Sequence, residues 1–288
     1  MGDISLAGFP TDSTIPDISV EDLEEIRRLL ADRAGFHLES YKEKCIKRRI
    51  TIRIRASHCA DAAEYIRHLE QDELELARLI KVLTIHVSHF FRNPSTFKKL
   101  REETIPALFA RARREQRESI TVWSVGCSTG EEPYSLALIL TEHFADQLGQ
   151  VPVRLLATDI NADILATAQE GLYGEERLAE VPSRLLDRYF TGESDKYRLS
   201  SEIREMVTFY REDLVDRETF PPCDLILCRN VLIYFERQQQ EKILGGFAAA
   251  LAIGGFLVLG KSETMVGEAR KRFQTVCPVE RIYKAVSR

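Results

Sequence analysis

The stretch ITVWSVGCSTGEEPYSLALIL, Ile120 to Leu140, decides how this 288-residue chain is read. An apolar run stops at Gly126, small polar residues lead to Gly130, and two acids, Glu131 and Glu132, open a long apolar segment. This pattern predicts a strand, a glycine turn and a helix. At such a turn a parallel sheet lets a ligand approach the backbone beside the carboxyl ends of its strands. A phosphate-binding P-loop needs GxxxxGK[ST], and here Gly130 is followed by acids instead of lysine. A dinucleotide turn needs GxGxxG, whereas Gly126 and Gly130 are separated by Cys-Ser-Thr. Phosphates prefer a helix N-terminus without added negative charge, so Glu131 and Glu132 argue against a polyanion.

Working outward, the apolar runs TVWSV, VRLLAT, DLILC and FLVLG alternate with EEPYSLALILTEHFA, NADILATAQEG and RQQQEKILGGFAAALA. The alternation predicts an α/β, Rossmann-like parallel sheet covered on both faces. FQTVCPVERIYKAV predicts an antiparallel edge hairpin, and the polar interval RYFTGESDKYRLSSEIREMVTFYRED predicts a small antiparallel β-subdomain over about 187–210. Upstream the pattern is helical. SVEDLEEIRRLLADRAG begins at an N-cap serine, Ser19, carries acids in its first turn and ends at Gly35. Three further segments with apolar residues three and four apart complete an all-helical N-terminal domain over 19–83. Residues 1–18 read as a flexible leader, 84–119 as a linker and helix reaching the ligand site, and 120–288 as the ligand-binding domain.

Composition narrows the function. An apolar fraction of 44%, a charged fraction of 30% and a net charge of −5 describe a soluble globular protein without general affinity for nucleic acid. No apolar run is long enough to insert into a membrane, and MGDISLAGFPTDSTIPD lacks the basic start and apolar body of a signal peptide. The six cysteines are scattered without a CxxC pair, which predicts reduced thiols in a cytoplasmic protein and no metal site. The pair His86 and His89 lacks obvious further ligands.

An acidic turn suits a ligand that is cationic, or that offers hydroxyls and an amine. S-adenosylmethionine (SAM) has a sulfonium, an α-ammonium group and a ribose diol, and it has no phosphate. Asp159, ending the run RLLATD, is placed to accept hydrogen bonds from both ribose hydroxyls.

The segments VWSVGCSTGEEPYSLAL, ATDINADILATAQEGLYG, CDLILCRNVLIYFE and TIHVSHFFRNPSTF, with the helical domain ahead of them, closely resemble the chemotaxis receptor methyltransferases, the CheR family. The resemblance covers nearly the whole chain. It implies an enzyme that uses SAM, releases S-adenosylhomocysteine (SAH), and forms methyl esters on glutamates in the cytoplasmic helices of chemoreceptors. It places Arg92 near the methyl group and the incoming carboxylate, Glu131 or Glu132 on the cofactor, and Asp159 on the ribose. Asp213 and Leu214 fall beside the adenine. Arg229, Asn230 and Tyr234 fall on the methyl-transfer side of the cofactor, with Arg229 and Asn230 contacting it and Tyr234 offering its hydroxyl there. His86 and Ser88 stand where the family has an N-x-T cofactor contact; serine keeps the hydroxyl, while histidine changes the donor pattern. The interval FTGESDKYRLSSEI lacks the glycine-containing extension of members that dock on a receptor's C-terminal pentapeptide, so the enzyme is expected to act without that tether.

Between Tyr41 and Arg55 lie Lys42, Lys44, Lys47, Arg48, Arg49, Arg53 and Arg55 against a single acid, Glu43. With Ile46, Ile50 and Ile54 facing a core, this charge points outward and would steer a glutamate-bearing helical bundle. Lys44, Lys47, Arg48, Arg49, Arg53 and Arg55 are therefore the expected partner contacts. Three other readings fit parts of this pattern. A base-amino methyltransferase often carries (D/N)PP(Y/F) after the fourth strand, but Asn230 and Tyr234 are separated by Val-Leu-Ile. A small-molecule methyltransferase does not require the basic helical domain. A non-catalytic SAM-binding adaptor would be marked by loss of Arg92 or Tyr234, and both are present.

Overall fold

A computed structural model describes residues 18–84, 88–215 and 219–286. All but one residue of the expected leader lies outside them. The chain divides into two compact units, Met1–Ile85 and His86–Arg288.

The first unit is helical: α1 Val20–Ala34, α2 Glu43–Ala56, α3 Ala62–Gln71 and α4 Glu73–Leu83. A reciprocal cap opens α1, with the Asp22 N–H donating to Ser19 Oγ at 3.0 Å and Ser19 donating to the Asp22 carboxylate. Gly35 closes it at φ +60°, in the left-handed region. Leu23, Ile26 and Leu30 of α1, Ile46, Ile50 and Ile54 of α2, and Leu76, Leu79 and Leu83 of α4 are buried. The three-and-four spacing thus supplies one apolar face per helix. Glu75 ties this core together: it accepts from Arg53 of α2 at 2.9 and 2.6 Å and from the Tyr65 hydroxyl of α3 at 2.9 Å.

The second unit begins with α5 Pro94–Lys99 and α6 Ile105–Arg114, joined by a π turn over Leu100–Thr104. Its strands are β1 Ile120–Val125, β2 Val153–Asp159, β3 Leu172–Gly174, β4 Phe190–Glu193, β5 Lys196–Leu199, β6 Val207–Arg211, β7 Cys223–Cys228, β8 Leu251–Leu259, β9 Phe273–Cys277 and β10 Ile282–Ala285. The remaining helices are α7 Glu131–His143, α8 Ala145–Gln150, α9 Ala162–Glu170, α10 Ser183–Tyr189, α11 Ser201–Arg204 and α12 Arg237–Ala250.

Seven strands form the main sheet in the order β6-β2-β1-β7-β8-β10-β9. The first five are parallel, and β10 runs antiparallel to both β8 and β9, the expected edge hairpin. Both faces are covered, so the inner strands are mostly apolar instead of alternating regularly with polar residues. Ile120, Val122, Leu155, Leu225 and Val258 join one core with Leu136, Leu140 and Phe109. On the other side Trp123 packs edge-on against Phe247 at 5.7 Å and beside Phe220 at 5.2 Å, with its indole N–H donating to Thr158 Oγ1 at 3.0 Å.

The polar interval differs from expectation in two ways. The small antiparallel sheet, ordered β3-β5-β4, recruits β3 from upstream of 187. Residues 207–211 leave it to become β6, the parallel edge strand of the main sheet. An edge strand needs only one well-covered face; Val207 is buried while Thr208, Tyr210 and Arg211 are exposed, so β6 lacks the apolar run that marks its neighbours.

Candidate active site

Successive connections carry the chain from β1 to β2 and β6 on one side, then across to β7 and β8 on the other. The strand order therefore reverses between β1 and β7, and the loops after these strands flank the opening where such sheets bind ligands. The turn after β1 is built from left-handed residues: Gly126 at φ +62°, Ser128 at +53° and Gly130 at +88°. A Cβ on Gly126 would lie 2.5 Å from Val231 Cγ2, which ties this turn closely to the loop after β7. The Ser128 N–H donates to Asp159 Oδ2 at 3.0 Å, and the Asn161 N–H donates to Oδ1 at 3.1 Å. Burial pushes the Asp159 carboxyl up, opposed by these backbone donors. Each oxygen keeps a lone pair for a further donor.

The two glutamates at the start of α7 have different surroundings. Glu132 accepts from Ser124 Oγ at 2.8 Å through one oxygen and from Arg229 Nη1 at 3.0 Å through the other. Glu131 is 0% exposed, and its Oε1 accepts from Thr129 Oγ1 and Arg177 Nη1, both at 2.6 Å. Its Oε2 and the Ser128 hydroxyl are buried without a hydrogen-bond partner among the described residues. Buried acceptors are normally satisfied, so Oε2 marks a place for a donor from a ligand.

The two arginines that meet these acids also hold the loop bearing Arg92. Arg177 Nη1 donates to the Ser88 carbonyl at 2.9 Å, and the Phe90 N–H donates to the Arg177 carbonyl at 3.0 Å. From the other side Arg229 Nη2 donates to the Arg92 carbonyl at 2.7 Å and to Asn93 Oδ1 at 2.8 Å. The Phe91 N–H donates to Ser135 Oγ on α7 at 2.8 Å. Phe91 and Asn93, on either side of Arg92, are left-handed at φ +54° and +63°. A non-glycine residue keeps that conformation only when its surroundings enforce it. His89, three residues before Arg92, is held below the usual histidine range by burial and then by the Arg92 charge.

The loop after β7 has its own anchor. Glu263, nearly fully buried, accepts backbone N–H bonds from Asn230 at 3.0 Å, Val231 at 2.8 Å, Leu232 at 2.7 Å and Gly260 at 2.6 Å. Burial raises its carboxyl, and the four donors oppose that. They hold Asn230 at φ +62° and lead into the short turn Leu232–Tyr234.

The expected residues Arg92, Glu131, Glu132, Asp159, Asn230 and Tyr234 thus lie on segments that meet around the reversal in strand order. Asp213 accepts from the Val215 N–H at 2.8 Å, and its neighbour Leu214 is buried; the Glu212 N–H ties this segment to the Asp159 carbonyl at 3.0 Å. Ser88 is half-buried, and His86 lies outside the described residues. Arg229, an expected cofactor contact, has a nearly buried side chain that bonds Glu132 and the Arg92 loop and lies over Phe97 at 5.4 Å. Sequence reasoning missed Arg177, Ser135 and Glu263. Arg177 lies three residues past the EGLYG element, and Glu263 is the first acid after the glycine that follows the last parallel strand, a legible position for a loop anchor.

In the first unit the expected contact residues separate. Lys44, Arg48 and Arg55 are exposed on α2, and Lys47 pairs with Glu43 at 3.0 Å. Arg49 is buried and donates to the Leu83 carbonyl, and Arg53 is bound to Glu75. These two guanidinium groups hold helices together, because the face carrying Ile46 and Ile50 also carries Arg49.

No group of histidine, cysteine or acidic side chains able to hold a metal occurs among the described residues. Among them no helix is long and apolar enough to cross a membrane. The acceptor set fits SAM: Glu131 Oε2 and Asp159 can receive ammonium and hydroxyl donors, and the residues of the turn itself carry no cation for a phosphate.

Comparison with known proteins agrees. Residues 86–280 match the family "CheR methyltransferase, SAM binding domain", and residues 21–84 match "CheR methyltransferase, all-alpha domain". A chemotaxis protein methyltransferase of Borreliella burgdorferi is 31% identical over 91% of this chain and 94% of its own length. One of Salmonella typhimurium is 36% identical over 90% of each. A 104.1 kDa uncharacterized protein of Rhodobacter capsulatus is 34% identical over 92% of this chain, which spans 28% of that relative's length. Among solved structures, a glycopeptide N-methyltransferase complexed with SAM matches 52% of this chain and 48% of its own, at 16% identity and a TM-score of 0.30, a remote likeness.

Proposed function

This chain belongs to the CheR methyltransferase family and is a SAM-dependent methyltransferase, and on that premise we propose that it esterifies glutamate side chains in the cytoplasmic helices of chemoreceptors. SAM supplies a methyl group activated by its sulfonium. Glu131 and Asp159 hold the cofactor, with Asp213 and Leu214 beside the adenine. Arg92 grips the acceptor carboxylate by a two-pronged hydrogen bond and leaves a lone pair for the methyl. Tyr234 directs its hydroxyl to the same region.

No general base is required, because an unperturbed glutamate has a pKa of about 4.3 and is already ionised at neutral pH. Alignment and exclusion of water carry the rate, and positioning alone accounts for up to about 7–11 kcal/mol in well-oriented reactions. The observation carrying this reading is the meeting of the Glu131 turn, Asp159 and the anchored Arg92 loop around one reversal in strand order. The exposed Lys44, Arg48 and Arg55 supply a surface for the acidic acceptor helices. The β4–β5 turn is only Ser194-Asp195, which supports action without a pentapeptide tether.

The test incubates the protein with methyl-labelled SAM and a receptor cytoplasmic fragment lacking any C-terminal pentapeptide. Alkali-labile label released as methanol, and lost in Arg92→Ala, is the expected result. Measurable SAM binding with no label on several receptor fragments would sink the proposal.

A further inference from the structure

Phe91 and Asn93 hold left-handed conformations on both sides of Arg92, so the position of this loop depends on ties from elsewhere. On one side they come from Arg177, at the end of the turn following β3. A single nitrogen, Nη1, gathers the Ser88 carbonyl at 2.9 Å, Thr129 Oγ1 at 3.2 Å and Glu131 Oε1 at 2.6 Å. The main chain of the same residue takes the Phe90 N–H. Arg177 thus touches both the loop that carries Arg92 and the carboxylate whose second oxygen is open to the cofactor.

We propose that Arg177 is a positioning residue that registers the Arg92 loop to Glu131, so that a bound cofactor and an aligned acceptor clamp require each other. The inference rests on the methyltransferase reading above. Its chemistry separates it from its counterpart. Arg229 works through two nitrogens, Nη1 on Glu132 and Nη2 on Arg92 and Asn93. Because Arg177 makes these hydrogen bonds through one nitrogen, its Nε standing only at 3.8 Å from the exposed Glu176 carboxylate, an ammonium with three donors at a point can replace much of its role. A lysine cannot span the two sites that Arg229 joins.

The experiment compares wild type, Arg177→Met, Arg177→Lys and Arg229→Lys as full-length proteins. It reads kcat and KM for the receptor fragment, SAH titration, thermal unfolding, and hydrogen exchange of the peptide spanning 88–93 with and without SAH. Arg177→Met is expected to lower kcat on the order of 10²-fold, the scale of an ångström-level misplacement. Its 88–93 segment should exchange faster and lose its added protection by SAH. Arg177→Lys should recover most of both effects, and Arg229→Lys should not. Arg177→Met within about threefold of wild-type kcat, with unchanged exchange, would overturn the proposal. So would lysine and methionine variants that are equally impaired, since side-chain volume would then explain the loss.

If Arg177→Met does not fold, Ser135→Ala removes the acceptor for the Phe91 N–H from the opposite side of the loop. Faster exchange of 88–93 together with lower kcat supports the clamp, and no change in either overturns it. If wild type labels no receptor fragment, the functional reading fails, and the exchange and SAH arms alone decide the role of Arg177.

Discussion

Gly130 sits at φ +88°, where a Cβ would come within 2.9 Å of the Tyr134 ring and 3.0 Å of Ala168 Cβ. Left-handed backbone costs an L-residue about 1–2 kcal/mol, so Gly130→Ala should lose at least that much stability, read as a lower denaturant midpoint. The neighbouring acids separate by function. Gln at Glu131 leaves the donor-seeking position without its charge, and SAH binding should weaken by about tenfold, the value of one hydrogen bond to a charged group. Gln at Glu132 disturbs an oxygen pair already engaged by Ser124 and Arg229, so it should lower kcat more than SAH affinity. Calorimetric titration beside kcat measurement checks this; equal effects on both quantities in the two variants would refute the division. The sequence marked both acids without distinguishing them, because their hydrogen-bond partners are up to 97 residues away.

At the scale of elements, Glu75 joins α2, α3 and α4. Burial works to raise its carboxyl, but bonds from Arg53 and Tyr65 outweigh that and hold it below its ordinary value of 4.5. A folded-state value below the unfolded one means that the stabilisation is complete above about pH 4.5 and fades as pH falls through the folded-state value. Glu75→Gln should therefore destabilise the protein by about 3 kcal/mol at pH 7, as breaking a buried pair does. It should also flatten the loss of stability below pH 4.5, which melts across an acid series would reveal. The helices themselves were legible, since each carries its apolar stripe locally. Strand β6 was not, because its pairing with β2 supplies what its own sequence lacks.

For the molecule as a whole, the formal charge of −5 conceals a basic face on α2. With Arg49 and Arg53 committed internally, Lys44, Arg48 and Arg55 remain on its exposed side, with Ile52 at 48% exposure among them. Reversing these three to glutamate should lower kcat/KM for a receptor fragment by about tenfold at low salt, with the difference shrinking as salt screens it. SAH titration on the same variant should match wild type. A salt-independent defect would exclude electrostatic steering.

The sequence by itself determined the alternation of strands and helices, the glycine turn with its acids, and the family to which its motifs belong. These depend on local periodicity and on residues adjacent in the chain. Only the tertiary structure decided which of two adjacent glutamates keeps an open oxygen, and which arginines of the basic helix are exposed. It also set the places of Arg177 and Glu263. Hydrogen-bond partners and burial arise between segments distant in sequence, and periodicity reports which face a residue occupies without reporting what stands opposite it.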